Sequence, residues 1–286
     1  MSRGGVLLLG GGGFIGSALA TRLHQEKIPV HVVGRHDGEL LARLLPQCGT
    51  VVHLASGTTP GSSAVHPGLE LANLALTLRL LELLQAQPKT RLIFFSSGGT
   101  VYGNPAAVPV AEDSPLNPLS PHGAGKVAQE AFCHAFRARG HAVTILRLSN
   151  AYGPGQTMRH GFGLIRTMLE TARLGTPLEI WGDGENVRDF IYIGDVVEAS
   201  TRLIQLADDS GTYNLGSGIG YSVNQVKAIV EQVCGKALQT MYRPARGIDV
   251  RSVVLDSCCL NARLGWQPGV ALVDGVAGTW AWLQRT

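Results

Sequence analysis

Apolar residues fall into short, nearly unbroken runs that alternate with stretches of helical spacing. Val6–Leu9 (VLLL) ends at a glycine, and Val30–Val33 reads VHVV. Val51–Ala55 reads VVHLA, Leu92–Ser96 LIFFS and Ala142–Leu148 AVTILRL. Such runs suit strands buried on both faces, the situation in a parallel sheet. Between them lie segments with helical period. Ser17–Glu26 carries Ala18, Leu19, Arg22 and Leu23 on one side, and Glu39–Leu45 is a shorter example. Leu69–Leu84 is leucine-rich and followed by Pro88, and Lys126–Arg139 is stopped by Gly140. Strands alternating with helices in this order predict an α/β fold with a doubly wound parallel sheet. From about Tyr152 the pattern loosens, YGPGQ and WGDGE are turn-rich, and the elements between them are short. A smaller C-terminal lobe is expected there, giving residues 1–151 and 152–286 as two partly interleaved domains.

Composition narrows the class. The 286 residues are 45% hydrophobic and 16% charged, enough apolar surface for a sizeable core and too little charge for a disordered chain. A formal charge of +3 with no lysine or arginine block gives no footprint for nucleic acid, though it suits a phosphorylated small molecule. The cysteines Cys48, Cys133, Cys234, Cys258 and Cys259 show no CxxC spacing. Reduced thiols are therefore expected, with no metal site. The run Val6–Ala20 is broken by glycines, unlike a signal peptide or a membrane span. A cytoplasmic protein without membrane or nucleic-acid partners is expected.

Gly10-Gly11-Gly12-Gly13-Phe14-Ile15-Gly16 follows the first strand and opens the first helix, with Gly10, Gly13 and Gly16 at GxxGxxG spacing. Small residues there let backbone amides approach a pyrophosphate, and the helix N-terminus adds positive potential. This is a dinucleotide-binding (Rossmann) pattern in its proper strand-loop-helix context. At the end of the second strand an NAD site usually carries an acid for the ribose hydroxyls. Here the chain reads Val33-Gly34-Arg35. Arg35 either holds a 2′-phosphate, which leans the cofactor towards NADP, or is an ordinary exposed arginine at a strand end. Asp37 is available as a displaced ribose ligand.

Taken with the motifs further along, the chain resembles the extended short-chain dehydrogenase/reductase family, in particular its nucleotide-sugar epimerases and dehydratases. GGGGFIG (Gly10–Gly16), VVHLAS (Val51–Ser56) and SSGGTVYG (Ser96–Gly103) carry the resemblance in the first half. RLSNAYGPGQ (Arg147–Gln156), WGDGENVRDFIYIGDVVEA (Trp181–Ala199), RPARGIDVRSVVLD and LGWQP carry it in the second. The resemblance implies that Gly10, Gly13, Phe14, Ile15 and Gly16 hold the cofactor. Arg35, Leu54, Ala55, Ser56, Asn73, Ser96 and Lys126 would join them. It implies that Asn150, Arg188 and Arg246 hold a nucleotide diphosphate and that Trp181 stacks on its base. Planar, multidentate donors suit a pyrophosphate. For the two arginines the bland alternative is a salt bridge to Asp189 or Asp249, and for Trp181 it is core packing. A homodimer through Leu69–Leu84 and the helix after Lys126 is also implied.

Three departures from the family pattern bear on chemistry. The family places a tyrosine four residues before its lysine, and here SPHGAGK puts His122 before Lys126. A neutral imidazole is a competent base, so His122 is either the acid/base or a helix-entry histidine without a catalytic part. The family's hydroxyl position falls on Gly98, so a polarising hydrogen bond has to come from Ser97 or Thr100. Finally, too few residues separate Val33 from Val51 for the further strand that would wall the adenine, and weak cofactor binding is expected. The implied activity is a nucleotide-sugar epimerase using transient hydride transfer to NAD or NADP. A degenerate binding or sensor protein is the alternative. SSGGTVYG offers no carboxylate pair, which favours epimerase over dehydratase.

Overall fold

The computed structural model describes residues 4–158, 162–206 and 209–286. The first five strands are β1 (Gly5–Leu9), β2 (Val30–Val33), β3 (Cys48–His53), β4 (Arg91–Ser97) and β5 (Val143–Leu148). Shorter strands follow at β6 (Asn150–Tyr152), β7 (Leu178–Trp181), β8 (Val187–Tyr192), β9 (Thr212–Leu215), β10 (Gly220–Ser222), β11 (Thr240–Arg243) and β12 (Ser252–Val253). The helices are α1 (Phe14–Gln25), α2 (Gly38–Leu44), α3 (Pro60–Val65), α4 (Glu70–Gln85), α5 (Gly98–Val101) and α6 (Pro121–Ala138). They continue as α7 (Leu164–Leu174), α8 (Ile193–Gln205), α9 (Val223–Cys234), α10 (Cys258–Leu264) and α11 (Leu272–Leu283).

Six strands form one sheet in the order β2-β1-β3-β4-β5-β9. β1 pairs in parallel with β2 and β3, and β3 with β4. The predicted α/β doubly wound architecture is therefore present. Every residue of β1 and of β5 is buried, as continuous apolar runs require. On α1, Gly16, Leu19 and Leu23 form the buried stripe. β2 ends the sheet. The chain passes from it through α2 and a short tight turn at Leu45–Gln47 directly to β3, without the further strand whose absence the spacing predicts.

The chain groups into two compact units. One comprises Met1–Ser97, Pro121–Arg147 and Val197–Tyr213, and the other Gly98–Ser120, Leu148–Val196 and Asn214–Thr286. The first has its core at Leu9, Val51, Phe94, Cys133 and Ile145. The second packs Met168, Leu169, Phe190, Val226 and Val276. Within it β8 pairs antiparallel with β10 and in parallel with β6 and β12, and β7 pairs with β11.

Helix α6 begins at Pro121, ahead of the Lys126 that the periodicity gives as its start. Proline suits a first helical turn because its fixed φ is already helical and its missing N–H has no partner to lose there. Gly123 and Gly125 lower helix propensity, but burial of His122, Gly123 and Lys126 overrides it. α3 has no counterpart in the periodicity. It is set by Pro60 and by a capping box between Thr59 and Ser62. Among the described residues no helix is long and apolar enough to cross a membrane.

Candidate active site

The glycine loop is shaped by close approaches. Gly10 has φ +87°, and a Cβ there would lie 2.6 Å from the Ala55 amide nitrogen. A Cβ on Gly16 would lie 2.5 Å from the Gly11 Cα, so α1 meets the loop at backbone contact. Gly12, by contrast, faces open space. Gly13 caps α1 without a side-chain hydrogen bond, and the first-turn amides of Phe14, Ile15 and Gly16 have no partner inside the helix. The loop is thus pinned on its protein side and open on the other, which fits a pyrophosphate. Leu54 donates its amide to Leu9 O at 2.8 Å, and Ala55 is buried against Gly10.

At the end of β2, Asp37 folds back so that its carboxylate accepts the Gly34 amide at 3.1 Å. Arg35 donates to His36 Nε2 at 2.9 Å, and its Nη1 lies 3.0 Å from where a Cβ on Gly57 would stand. Arg35 therefore reaches from β2 towards the loop that follows β3.

The face of α6 carries His122, Lys126 and Glu130 at successive i+4 positions, and all three are buried. His122 Nδ1 lies 3.1 Å from Thr58 Oγ1 and 3.4 Å from Glu70 Oε1. No partner of its Nε2 occurs among the described residues. Glu70 also accepts from Ser63 Oγ, and from Asn73 Nδ2 at 2.8 Å. Burial pushes the Glu70 carboxyl up, but hydrogen bonds from His122, Ser63, Thr58 and Asn73 outweigh it and hold the group at about 2. Asn73 accepts the Gly57 amide at 2.8 Å and donates to Thr58 Oγ1 at 2.8 Å, so it fixes the loop after β3. Ser56 Oγ donates to Thr58 O within that loop at 3.4 Å.

One turn below His122, Lys126 Nζ donates to Phe95 O at 2.9 Å and lies 4.9 Å from the Phe94 ring centroid. Burial brings its ammonium down to about 8, against the opposing pull of Glu70 and Glu130. Another turn on, Glu130 accepts from Ser96 Oγ and forms a buried pair with Arg147, with Nη2 to Oε2 at 2.8 Å. His53 donates or accepts at Thr77 Oγ1 over 2.9 Å, and burial with the nearby Lys126 charge brings its imidazole down to about 3. His53 is therefore neutral, and its buried Nδ1 has no partner among the described residues.

In the second unit Arg188 is mostly buried, and its Nη1 donates to Val187 O at 2.9 Å. Burial pulls this guanidinium down to about 10, against Asp249 alone. Asp249 is already paired with Arg246, with Nε to Oδ2 at 2.9 Å and Nη2 to Oδ1 at 3.0 Å. Asp249 thus contacts Arg246 and acts on Arg188 through space. Asp189 belongs elsewhere: it accepts the amides of Ser217, Gly218 and Leu255. Trp181 is 40% exposed rather than core, with the Arg246 guanidinium 5.1 Å from its ring. Asn150 Nδ2 donates to Asp189 O at 2.8 Å. Ser97 is the last residue of β4, and Gly98, buried, and Thr100 lie in α5.

In the structure His122 and Lys126 share one face of α6, although the periodicity starts that helix only at Lys126, and the sequence does not single out Glu70, Thr58, Ser63, Glu130 or His53. Glu70 stands in the first turn of a leucine-rich helix, where an acid reads as a partner of the helix dipole. The signal that could have found it is the polar set Ser63, Glu70, Asn73 and Thr77, which interrupts otherwise apolar positions.

The NAD dependent epimerase/dehydratase family model matches residues 6–216. A UDP-glucose 4-epimerase of Mycolicibacterium smegmatis is 32% identical over 287 residues, covering 96% of this chain and 91% of its own. The crystal structure of a UDP-glucose 4-epimerase with UDP-glucose from Thermotoga maritima superposes with a TM-score of 0.92 at 31% identity, over 98% of this chain and 99% of that one. A UDP-glucose 4-epimerase of Thermus thermophilus in complex with NAD gives 0.90 at 30% identity, over 98% of each chain.

Proposed function

The chain belongs to the NAD-dependent epimerase/dehydratase family, and on that premise we propose that it is a nucleotide-sugar epimerase whose acid/base is His122. The observation that carries this reading is the buried His122–Glu70 contact one turn from Lys126, with no partner of His122 Nε2 among the described residues. NAD, when bound, supplies a reversible hydride acceptor. His122 Nε2 takes the proton of the sugar hydroxyl as the carbon beneath it loses hydride, and gives the proton back when hydride returns. The Lys126 ammonium holds positive charge beside that step. Ser97 or Thr100 donates to the oxygen in place of the hydroxyl missing at Gly98. The first unit holds the dinucleotide, and the second holds the sugar nucleotide through Asn150, Arg188 and Arg246, with Trp181 beside the base. UDP-sugars are the substrate class, by likeness to the epimerases matched above.

NAD rather than NADP fits the end of β2, because a 2′-phosphate would face the Asp37 carboxylate while Arg35 is turned towards Gly57. A homodimer is proposed through α4 and α6, which expose Leu71 and Phe132. Since β2 is an edge strand, the adenine has little wall on that side. NAD is expected to bind more weakly than about 1 μM. Isothermal titration returning sub-micromolar NAD affinity would contradict this.

The reading is tested by incubating the protein with NAD and UDP-galactose and following the sugar by NMR. A mixture of the two 4-epimers, reached equally from UDP-glucose, is expected. Tight binding of UDP-sugars with no turnover across a panel of nucleotide sugars would replace it with the binding-protein reading, which the missing hydroxyl at Gly98 favours.

A further inference from the structure

We infer that Glu70 is a positioning residue: it holds His122 in the Nδ1–H tautomer and so leaves Nε2 as the proton acceptor. The inference rests on the acid/base role proposed for His122, but its geometry stands on its own. A carboxylate can only accept hydrogen bonds. An unprotonated Nδ1 would set a lone pair against Glu70 Oε1 at 3.4 Å. A protonated Nδ1 instead points between that oxygen and Thr58 Oγ1 at 3.1 Å. Thr58 Oγ1 can act as acceptor there: it takes one hydrogen bond from Asn73 Nδ2 and keeps a second lone pair. In a neutral ring the proton on one nitrogen fixes the other as the base.

The carboxylate is itself held from several sides. Ser63, near the end of α3, donates to Oε1, and Asn73 donates to Oε2. Which way the Asn73 amide faces is set by the Gly57 amide, which occupies its Oδ1 at 2.8 Å. The other flank is α6 itself. A Cβ on Gly125 would lie 2.7 Å from Glu70 Oε2 and 3.1 Å from its Cδ. The glycine just before Lys126 is therefore the space in which the carboxylate sits. Among the described residues the charged group in contact with His122 is Glu70 from α4, and Lys126 stands one turn further along its own helix.

This arrangement predicts an unusual consequence for Glu70→Gln. The Asn73 NH₂ cannot accept a hydrogen bond, whereas the Ser63 hydroxyl can rotate to accept one, so the new amide turns its oxygen to Asn73 and its NH₂ to Ser63 and His122. That NH₂ donates to Nδ1, the ring proton moves to Nε2, and the acceptor becomes a donor. Tautomer reversal of this kind costs a histidine base about 10⁴-fold in the serine-protease triad. A fall in kcat of about 10²–10⁴-fold is expected here, with KM within about threefold. Adding Asn73→Asp reverses the polarity once more. The carboxylate introduced by that second change accepts from the NH₂ introduced by the first. The amide oxygen then faces His122, and the Nδ1–H tautomer returns with part of the lost kcat.

The experiment is long-range ¹H–¹⁵N NMR of the full chain labelled at histidine, on the neutral ring at alkaline pH, beside turnover of UDP-galactose with NAD. Expected are Nδ1–H in the wild type, Nε2–H in Glu70→Gln, and Nδ1–H again in Glu70→Gln/Asn73→Asp. A wild-type ring protonated on Nε2 overturns the inference whether or not any variant folds. So does Glu70→Gln with an unchanged ring and kcat within about threefold of wild type. If the tautomers switch as expected while even the wild type turns over no sugar, the positioning of His122 by Glu70 stands and the acid/base role falls.

Discussion

His122→Ala is expected to lower kcat for UDP-sugar epimerisation by about 10²–10⁴-fold while NAD affinity stays within about twofold. The size follows from the absence of a stand-in on α6. Lys126, one turn away, is buried with its Nζ donating to Phe95 O, and it lies over the Phe94 ring. Glu70 is held at about 2, far too acidic to take a proton from a sugar hydroxyl near neutral pH. His53 is neutral, but its Nε2 is committed to Thr77. Cofactor affinity should survive because the glycine loop and its contact with Ala55 lie in other elements. Single-turnover and steady-state assays with UDP-galactose, with NAD titrations beside them, give the comparison. Undiminished kcat in His122→Ala would remove His122 from the chemistry and leave Ser97 and Thr100 as the groups to replace next.

The parts legible in the sequence are those set by local pattern. Buried parallel strands announce themselves as apolar runs, and the glycine loop is fixed by backbone approaches that only glycine permits, as the 2.6 Å and 2.5 Å limits at Gly10 and Gly16 show. The missing strand after β2 is legible from the residue count once it is set against the family pattern. What the pattern hides are contacts made across long sequence separations. Glu70 and His122 are 52 residues apart, and nothing at either position names the other. The early start of α6 is obscured for a related reason. Gly123 and Gly125 argue locally against a helix, yet Gly125 is small because the Glu70 carboxylate needs its space. A residue that looks like a helix breaker is there to admit a partner from another helix. Trp181 lies between these cases: the resemblance implies a base-stacking residue and the bland alternative is core packing, and the structure sets its ring at the surface beside Arg246.

Arg147→Met is expected to destabilise the protein by about 3–5 kcal/mol, read from chemical denaturation. Arg147 and Glu130 are 5% and 1% exposed at their side chains, and Arg147 Nε reaches both carboxylate oxygens at 3.2 and 3.1 Å. With methionine at 147, Glu130 keeps the Ser96 hydroxyl but becomes a buried charge without its arginine counterion. Removing both charges removes that penalty. The double variant Glu130→Leu/Arg147→Met is expected to be within about 1 kcal/mol of wild type or more stable, since a well-packed apolar pair often matches a buried ion pair. A cost below about 1 kcal/mol for Arg147→Met alone would show that the pair is not desolvated as described. Stability then does not explain the pair, but Lys126 does. Glu130 is one of the two carboxylates that raise the Lys126 ammonium against burial. Without it the folded-state value falls below about 8, and near neutral pH a larger share of Lys126 loses its charge. The double variant should therefore fold well yet lose turnover as the pH rises, beginning at lower pH than the wild type. A double variant whose turnover keeps the wild-type pH dependence would break the link between Glu130 and Lys126.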